Sequence, residues 1–355
     1  MRKILFFALF AVILSVHAYG ISTDGLEEAV PGSAREIMGE LSVEDVLEGG
    51  SVLANITDWA KEQVLARVGQ AAGSAGTVLA VTLLCSVAAA AEPGGKTPSY
   101  VLLGGALAIT GVCAGSIKSY LGQVSAAMED MSEFSRALLP CIAAANTAVG
   151  RGASGAARYA ISALFMDVLM TLGSRMVLPM LYGYCAVCTA NAALPQGAMG
   201  GPVKLMSWFC GTMLKLLTGA FTLCLSLSGL VAGNTDKLAV SAVKTAVTAA
   251  LPVVGKIIAD AADTYLAGAK LLRGAVGGFG SAAVICVCLG PFIGVGLHYL
   301  MFKAAAMLAE PFSDSRLSGL VSNIAACYGM ALGLLGSASA MLFVSVVFGT
   351  EALTG

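Results

Sequence analysis

Asp260 and Asp263 stand three residues apart in the stretch LPVVGKIIADAADTYLAGAKLLRGAVGGFG, Leu251 to Gly280. On a helix that spacing places both carboxylates on one face. If the face lines an aqueous path, the pair could hold a cation or a polar solute. The alternative is a solvated helix at a membrane interface. Lys256 belongs to the same polar side, opposite Ile257, Ile258, Ala261 and Ala262. Pro252 removes a backbone donor and crowds the preceding turn, which predicts a broken helix at that point. Inside a bilayer such a break survives only where protein or water covers the freed groups. Gly274, Gly277, Gly278 and Gly280 follow Lys270 and Arg273 and predict a bend before the next apolar segment.

Asp167 and Arg175 are the second pair with chemical potential, in an apolar run also interrupted by Pro179. Eight residues of continuous helix separate them by about 12 Å, so a direct ion pair needs a bend or a second helix. Arg175 can instead extend its stem to an interface. Other patterns are weaker. Cys185 and Cys188 form a CxxC with no polar surroundings or histidine, which reads as small apolar packing rather than metal ligation. Gly150 to Gly155 spells GxGxxG without a βαβ setting, and no P-loop follows anywhere. His298, in GVGLHYLMF, reads as a packed or hydrogen-bonded helix histidine. With no HExxH, no GxSxG and no Ser/His/Asp set, the chain carries no enzyme signature, and no cofactor or metal is implied.

The elements that must position these residues are membrane helices. The 355 residues are 57% hydrophobic and 12% charged, with mean hydropathy +0.85. Soluble domains carry about twice that charge density. The net charge of −1 speaks against a nucleic-acid partner. Abundant Ala and Gly suit helices that pack backbone to backbone in lipid. Ten cysteines all lie in or beside apolar segments, unlike an exported disulfide scaffold.

Residues 1–20 read as a secretory signal peptide: Arg2 and Lys3, an apolar core from Ile4 to Val16, then small residues near Ala18 and Gly20. The core is short for a span, which favours cleavage over a retained anchor. Residues 21–76 form an acidic extracytoplasmic segment, with Arg35 the one base before Asp58. It includes an amphipathic helix starting near Ser42 and carrying Trp59. Residues 77–355 form the multi-span domain. Thr77 to Ala91 and Tyr100 to Ile117 predict a helical hairpin. Lys118 to Arg136 predicts a connecting interfacial helix, and Leu138 to Val149 is too short to span. Further segments run over Tyr159 to Leu194, Leu205 to Val231, Leu238 to Val254, Phe279 to Phe302 and Leu320 to Phe348. The fold class is therefore all-α: a polytopic α-helical membrane protein with about seven membrane segments after an N-terminal signal, and with broken or re-entrant helices.

The run Leu251 to Gly280, with FSRALLPCIAAANTAVG (Phe134 to Gly150) and the closing span Ser315 to Gly349, resembles the stage III sporulation protein AE family of endospore-forming bacteria. The resemblance covers most of the chain after Glu40. It implies a multi-pass protein of the mother-cell membrane surrounding the forespore. It further implies membership of a secretion-like channel complex linking the two cells, as a permease for small molecules. The implied partners are the other stage III sporulation A-operon proteins, the forespore stage II sporulation protein Q and the lipid bilayer, with a homo-oligomer left open. Two rival readings are a structural assembly platform without transport of its own and a stand-alone ion-coupled transporter. The path candidates carried forward are Pro252, Lys256, Asp260, Asp263, Asp167 and Arg175.

Overall fold

A computed structural model of the chain describes residues 24–39, 52–91, 99–148, 152–194, 199–224 and 255–350. Every regular element among them is helical. Two short helices come first, α1 (Asp24–Glu28) and α2 (Gly32–Met38). They are followed by α3 (Val52–Ala90) and α4 (Ser99–Ala148). Helix α5 (Gly152–Leu172) continues through a π-helical turn (Gly173–Val177) into α6 (Leu178–Ala193). Helix α7 covers 200–224, and α8 (Gly255–Ala309) and α9 (Ser315–Thr350) complete the bundle. Chains this apolar can satisfy backbone donors in lipid only within the helix, which favours long unbroken helices over loops.

The long helices lie side by side with alternating direction. In α3 and α4, Cys85 Sγ approaches the carbonyl of Val101 at 4.0 Å, which is the expected hairpin pairing. Helices α8 and α9 run antiparallel, joined by a turn over 310–314. One continuous buried core links them, including Phe134, Tyr184, Phe279, Phe302 and Tyr328. The α1–α2 corner packs onto that core through Leu26, Val30, Ile37 and Met38. Arg35 ties the corner by donating to the carbonyls of Glu28 (2.6 Å) and Glu27 (3.1 Å) at the end of α1.

Five described helical stretches, not seven, are long and apolar enough to cross a membrane: Ala54–Ala90, Ser99–Thr147, Tyr159–Ala193, Val276–Ala309 and Ser315–Val347. Leu205 to Val231 is described only to 224, and Leu238 to Val254 lies outside the described residues, as do residues 1–23 and Pro252. The expected interruptions are absorbed inside helices. Lys118 to Arg136 and Leu138 to Ala148 belong to one 50-residue helix that passes through Pro140; Val149 lies outside the described residues. Pro140 is exposed; the carbonyl it deprives of a donor, that of Arg136, lies on the same outward side, where the loss is tolerated. The glycine-rich segment before Phe279 does not interrupt the helix: α8 runs 55 residues through it. Packing gives the physical reason: a Cβ on Gly280 would lie 2.6 Å from Leu138 Cδ1, so the missing side chain is what seats α8 on α4.

The run from Tyr159 to Leu194 is one helix with a π turn, in which the Leu178 N–H donates to the Gly173 carbonyl five residues back. Pro179 cannot donate to the carbonyl of Arg175, and the wider turn accommodates its ring. Gly173 is the closest approach in this region: a Cβ there would lie 2.4 Å from Met128 Cε and 3.0 Å from Leu334 Cδ1. Gly173→Leu is expected to lower stability by about 1–3 kcal/mol through overpacking. Gly111→Ala, with nothing within 4 Å, is expected to be neutral or slightly stabilising. Thermal unfolding of both variants in detergent, followed by helical circular dichroism, checks the contrast.

Candidate functional site: a glycine-walled groove beside a buried histidine

Among the described residues, a groove of about 1070 Å³ lies between α7, α8 and α9. Small residues keep its walls apart. Gly211 and Gly219 contribute from α7, and Gly329 and Gly333 from α9. Across it, Leu214 Cδ1 would lie 3.7 Å from a Cβ on Gly333, and the Tyr299 ring 3.1 Å from one on Gly329. The lining is mostly apolar with a few polar points. Ser337 Oγ donates to the Gly333 carbonyl at 2.8 Å, and Thr222 Oγ1 to the Thr218 carbonyl at 2.9 Å. Both hydroxyls are thereby turned onto their own helices. Thr218 Oγ1 differs: it is buried, with no hydrogen-bond partner among the described residues. Lys215 is exposed at the groove. An apolar body with one or two hydrogen-bonding groups, one of them anionic, fits this lining. The groove contains no nucleophile–base pair, and among the described residues no three His, Cys, Asp or Glu cluster as a metal would require.

The residue before Tyr299 on α8 points about 100° round the helix, into the core. His298 is fully buried. Its Nδ1 lies 3.0 Å from the Gly294 carbonyl. A carbonyl accepts only, so Nδ1 carries the proton and Nε2 is left as an acceptor, buried and without a partner among the described residues. Aromatic rings enclose it: Tyr120 at 4.2 Å, Tyr328 at 5.5 Å and Phe302 at 6.2 Å between centroids. Tyr328 donates to Ser116 Oγ at 3.1 Å. On the α3 side, the Arg67 guanidinium donates to the Gly290 carbonyl at 3.0 Å. Gly294 makes this approach feasible, since a Cβ there would lie 2.7 Å from the Tyr120 ring and 2.9 Å from the Arg67 nitrogen. Arg67 also lines a smaller cleft of about 240 Å³ under α2, with Glu36, Gln123 and Asp130. Ser33 Oγ latches α2 to Asp130 Oδ2 at 2.9 Å.

The residues singled out from sequence are not gathered here. Asp167 on α5 and Arg175 in the π turn are both exposed, away from the groove. Neither has an ion-pair partner among the described residues. Pro252 lies outside the described residues, as do the side chains of Lys256, Asp260 and Asp263. The backbone of those last three belongs to α8, and Asp260 lies about 57 Å along the helix axis from His298. All ten cysteines are free thiols, most of them buried, in keeping with their apolar sequence setting. Sequence reasoning missed the groove because no single segment carries it. Gly329 and Gly333 show GxxxG spacing, but their facing residues come from α7 and α8, remote in the chain.

Comparison with known proteins supplies the context for this site. The family described as stage III sporulation protein AE matches residues 48–351. The stage III sporulation protein AE of Bacillus subtilis (strain 168) is 24% identical over 220 residues, which cover 62% of this chain and 55% of that relative. The match thus spans about half the length of that protein. No solved structure matches. With a family match over most of its length, a wholly helical architecture and five helices fit to cross a membrane, this chain belongs to the stage III sporulation protein AE family.

Proposed function

We propose that this protein is the multi-pass membrane component of a channel complex of the sporulation apparatus, placed in the mother-cell membrane around the forespore, and that the groove is its solute station. The observation that carries the reading is a wide groove walled by glycine, with Thr218 on its wall and that residue's hydroxyl buried without a partner among the described residues, one side-chain rotation from the groove. A buried hydroxyl left without a partner costs about 1–3 kcal/mol. A solute that completes the hydrogen bond offsets that cost. The other stage III sporulation A-operon proteins and the forespore stage II sporulation protein Q are the proposed partners, as the family resemblance suggests. The chemistry of this site is binding and passage, without bond making or breaking.

An assembly platform is the second reading. It is favoured by one observation: α4 turns Glu129, Glu133 and Arg136 outward, away from the groove, on a face free to meet another protein.

Two substitutions separate these readings. Thr218→Val is expected to stabilise the protein by about 1 kcal/mol, because it removes the unsatisfied hydroxyl at constant shape; spore yield is expected to fall all the same. Gly333→Leu, which fills the groove from its open side, is expected to arrest sporulation after engulfment at normal protein level. Heat-resistant spore counts with an immunoblot provide the check. Wild-type yield from both variants would remove the groove from the account and leave the platform reading. Asp260→Asn combined with Asp263→Asn tests the carboxylate pair in the same assay, with arrest expected if that helix face also lines the route.

A further inference from the structure

We infer that the bilayer encloses only one half of the bundle's length, and that the other half of the same helices stands in water. This goes beyond the groove reading and does not depend on it.

Contacts between helices fix which residues share a level. At one end, Gly105 is where α3, α4 and α9 meet: a Cβ there would lie 2.7 Å from Cys85 Sγ and 3.2 Å from Leu317 Cδ1. Thr110 joins Thr189 of α6 at 2.7 Å, and Ser116 joins Tyr328 of α9 at 3.1 Å. At the other end, Met128 fills the space at Gly173, Met131 Sδ meets Cys288 Sγ at 3.4 Å, and Leu138 fills the space at Gly280. The two halves therefore divide along α4 near Lys118.

What faces outward differs between them. In the first half no Asp or Glu occurs in residues 70–90 of α3, 99–117 of α4, 178–193 of α6 or 317–328 of α9. Large apolar side chains face out instead: Leu84 (69% exposed), Val87 (68%), Trp208 (63%), Leu300 (60%), Leu308 (59%) and Leu107 (58%). In the second half the outward residues include Asp58, Lys61 and Glu62 on α3, Glu129 and Glu133 on α4, and Asp167 on α5. The Asp58–Lys61 pair is solvated, with side chains 76% and 73% exposed. At the division stand exposed cations, Lys118, Arg175 and Lys215. Long basic side chains at such a boundary reach the headgroups. The far boundary is the α8–α9 turn with Glu310 and Asp314. Arg316, just after it, lies 3.5 Å from the carbonyl of Leu194 at the end of α6.

The dimension agrees. From Ser99 to Lys118 a helix rises about 30 Å, the thickness of the hydrocarbon core. The opposite placement would submerge the outward carboxylates of three helices, each at a steep insertion cost. It would rest on α8 and α9, whose residues Val276 to Phe302 and Leu317 to Thr350 contain no Asp, Glu, Lys or Arg. The α8 segment is apolar for another reason. Val284, Cys286, Val287 and Cys288 are buried, so α8 is the central helix of the water-exposed half. Hydropathy alone does not distinguish a helix wrapped by lipid from one wrapped by other helices.

The two tryptophans of the chain report on the two halves, Trp208 in the first and Trp59 in the second. Full-length Trp59→Phe and Trp208→Phe variants, reconstituted in phosphatidylcholine–phosphatidylglycerol vesicles, leave one emitter each. Lipids brominated along the acyl chain are expected to quench Trp208 several-fold more strongly than Trp59, while aqueous acrylamide shows the reverse order. Equal quenching of both by brominated lipid, or stronger quenching of Trp59, overturns the inference. Glu133→Cys, measured against the wild-type thiol background, provides a second reading. Rapid modification by a membrane-impermeant maleimide in intact or opened vesicles is expected; protection in both preparations contradicts it.

Discussion

Tyr299 and Phe292 of α8 press against α9 where that helix has no side chains. A Cβ on Gly329 would come within 3.1 Å of the Tyr299 ring, and one on Gly336 within 3.6 Å of Phe292. Ser339, one turn further along, lines a small cavity together with Cys288 and Phe292. Helices in lipid gain no hydrophobic drive from touching one another, so shape-matched contacts between small and large residues must hold them. The α8–α9 pair is the clearest case in this bundle, and the other helices are placed against it. Helix α4 reaches it through Ser116 and Tyr328, α6 through the Leu181 carbonyl and Cys327, and α3 through Arg67 and the Gly290 carbonyl. A displacement of α9 from α8 would open the groove wall at Gly329 and uncover His298.

Helix length imposes the second constraint. Helix α4 has 50 residues and α8 has 55, while about 20 suffice to cross a hydrocarbon core. Lengths of this order require that part of each helix leave the lipid. The outward carboxylates and the buried Val284 to Cys288 segment both follow from that single requirement. They also account for the seat of α1 and α2 on the charged half, where Ser33 finds Asp130. The groove, with Lys215 at its edge, opens near the division between the halves, within reach of a solute arriving from water.

Much of this architecture was legible in the sequence, for reasons tied to particular residues. Charge-poor apolar runs specify helices, and the Thr77 to Ile117 region specified a hairpin that α3 and α4 form. The GxxxG spacing of Gly329 and Gly333 marked a packing face. His298 read as a packed histidine, and its Nδ1 contact with Gly294 agrees. Helix continuity was not legible. Pro140 and Gly280 are breakers by propensity, yet Pro140 leaves its orphaned carbonyl on the outward side and Gly280 seats against Leu138. Five of the expected spans are among the described residues, and the other two, Leu205 to Val231 and Leu238 to Val254, run into or lie in residues outside them. Of the site, Asp167 and Arg175 drew notice as charges in apolar sequence, but both turn outward and neither shares the groove. Thr218 and Tyr299 carry no local signal, since their significance comes from a facing helix distant in the chain.

The pairing of α8 with α9 can be tested with one introduced thiol and a native one. Ser339→Cys places a second sulfur beside Cys288, and the full-length protein in membranes can be oxidised and then cut by protease in the exposed 310–316 turn. The variant and its parent are both made in a Cys327→Ala background, because Cys327 is the native thiol of the C-terminal fragment and lies beside Cys185. The account predicts that the two fragments of the Ser339→Cys variant remain joined until reductant is added, whereas the oxidised Cys327→Ala parent separates. Separation of the fragments in the oxidised variant, with turn cleavage complete, would contradict the pairing on which the bundle, the groove and the division into two halves all rest.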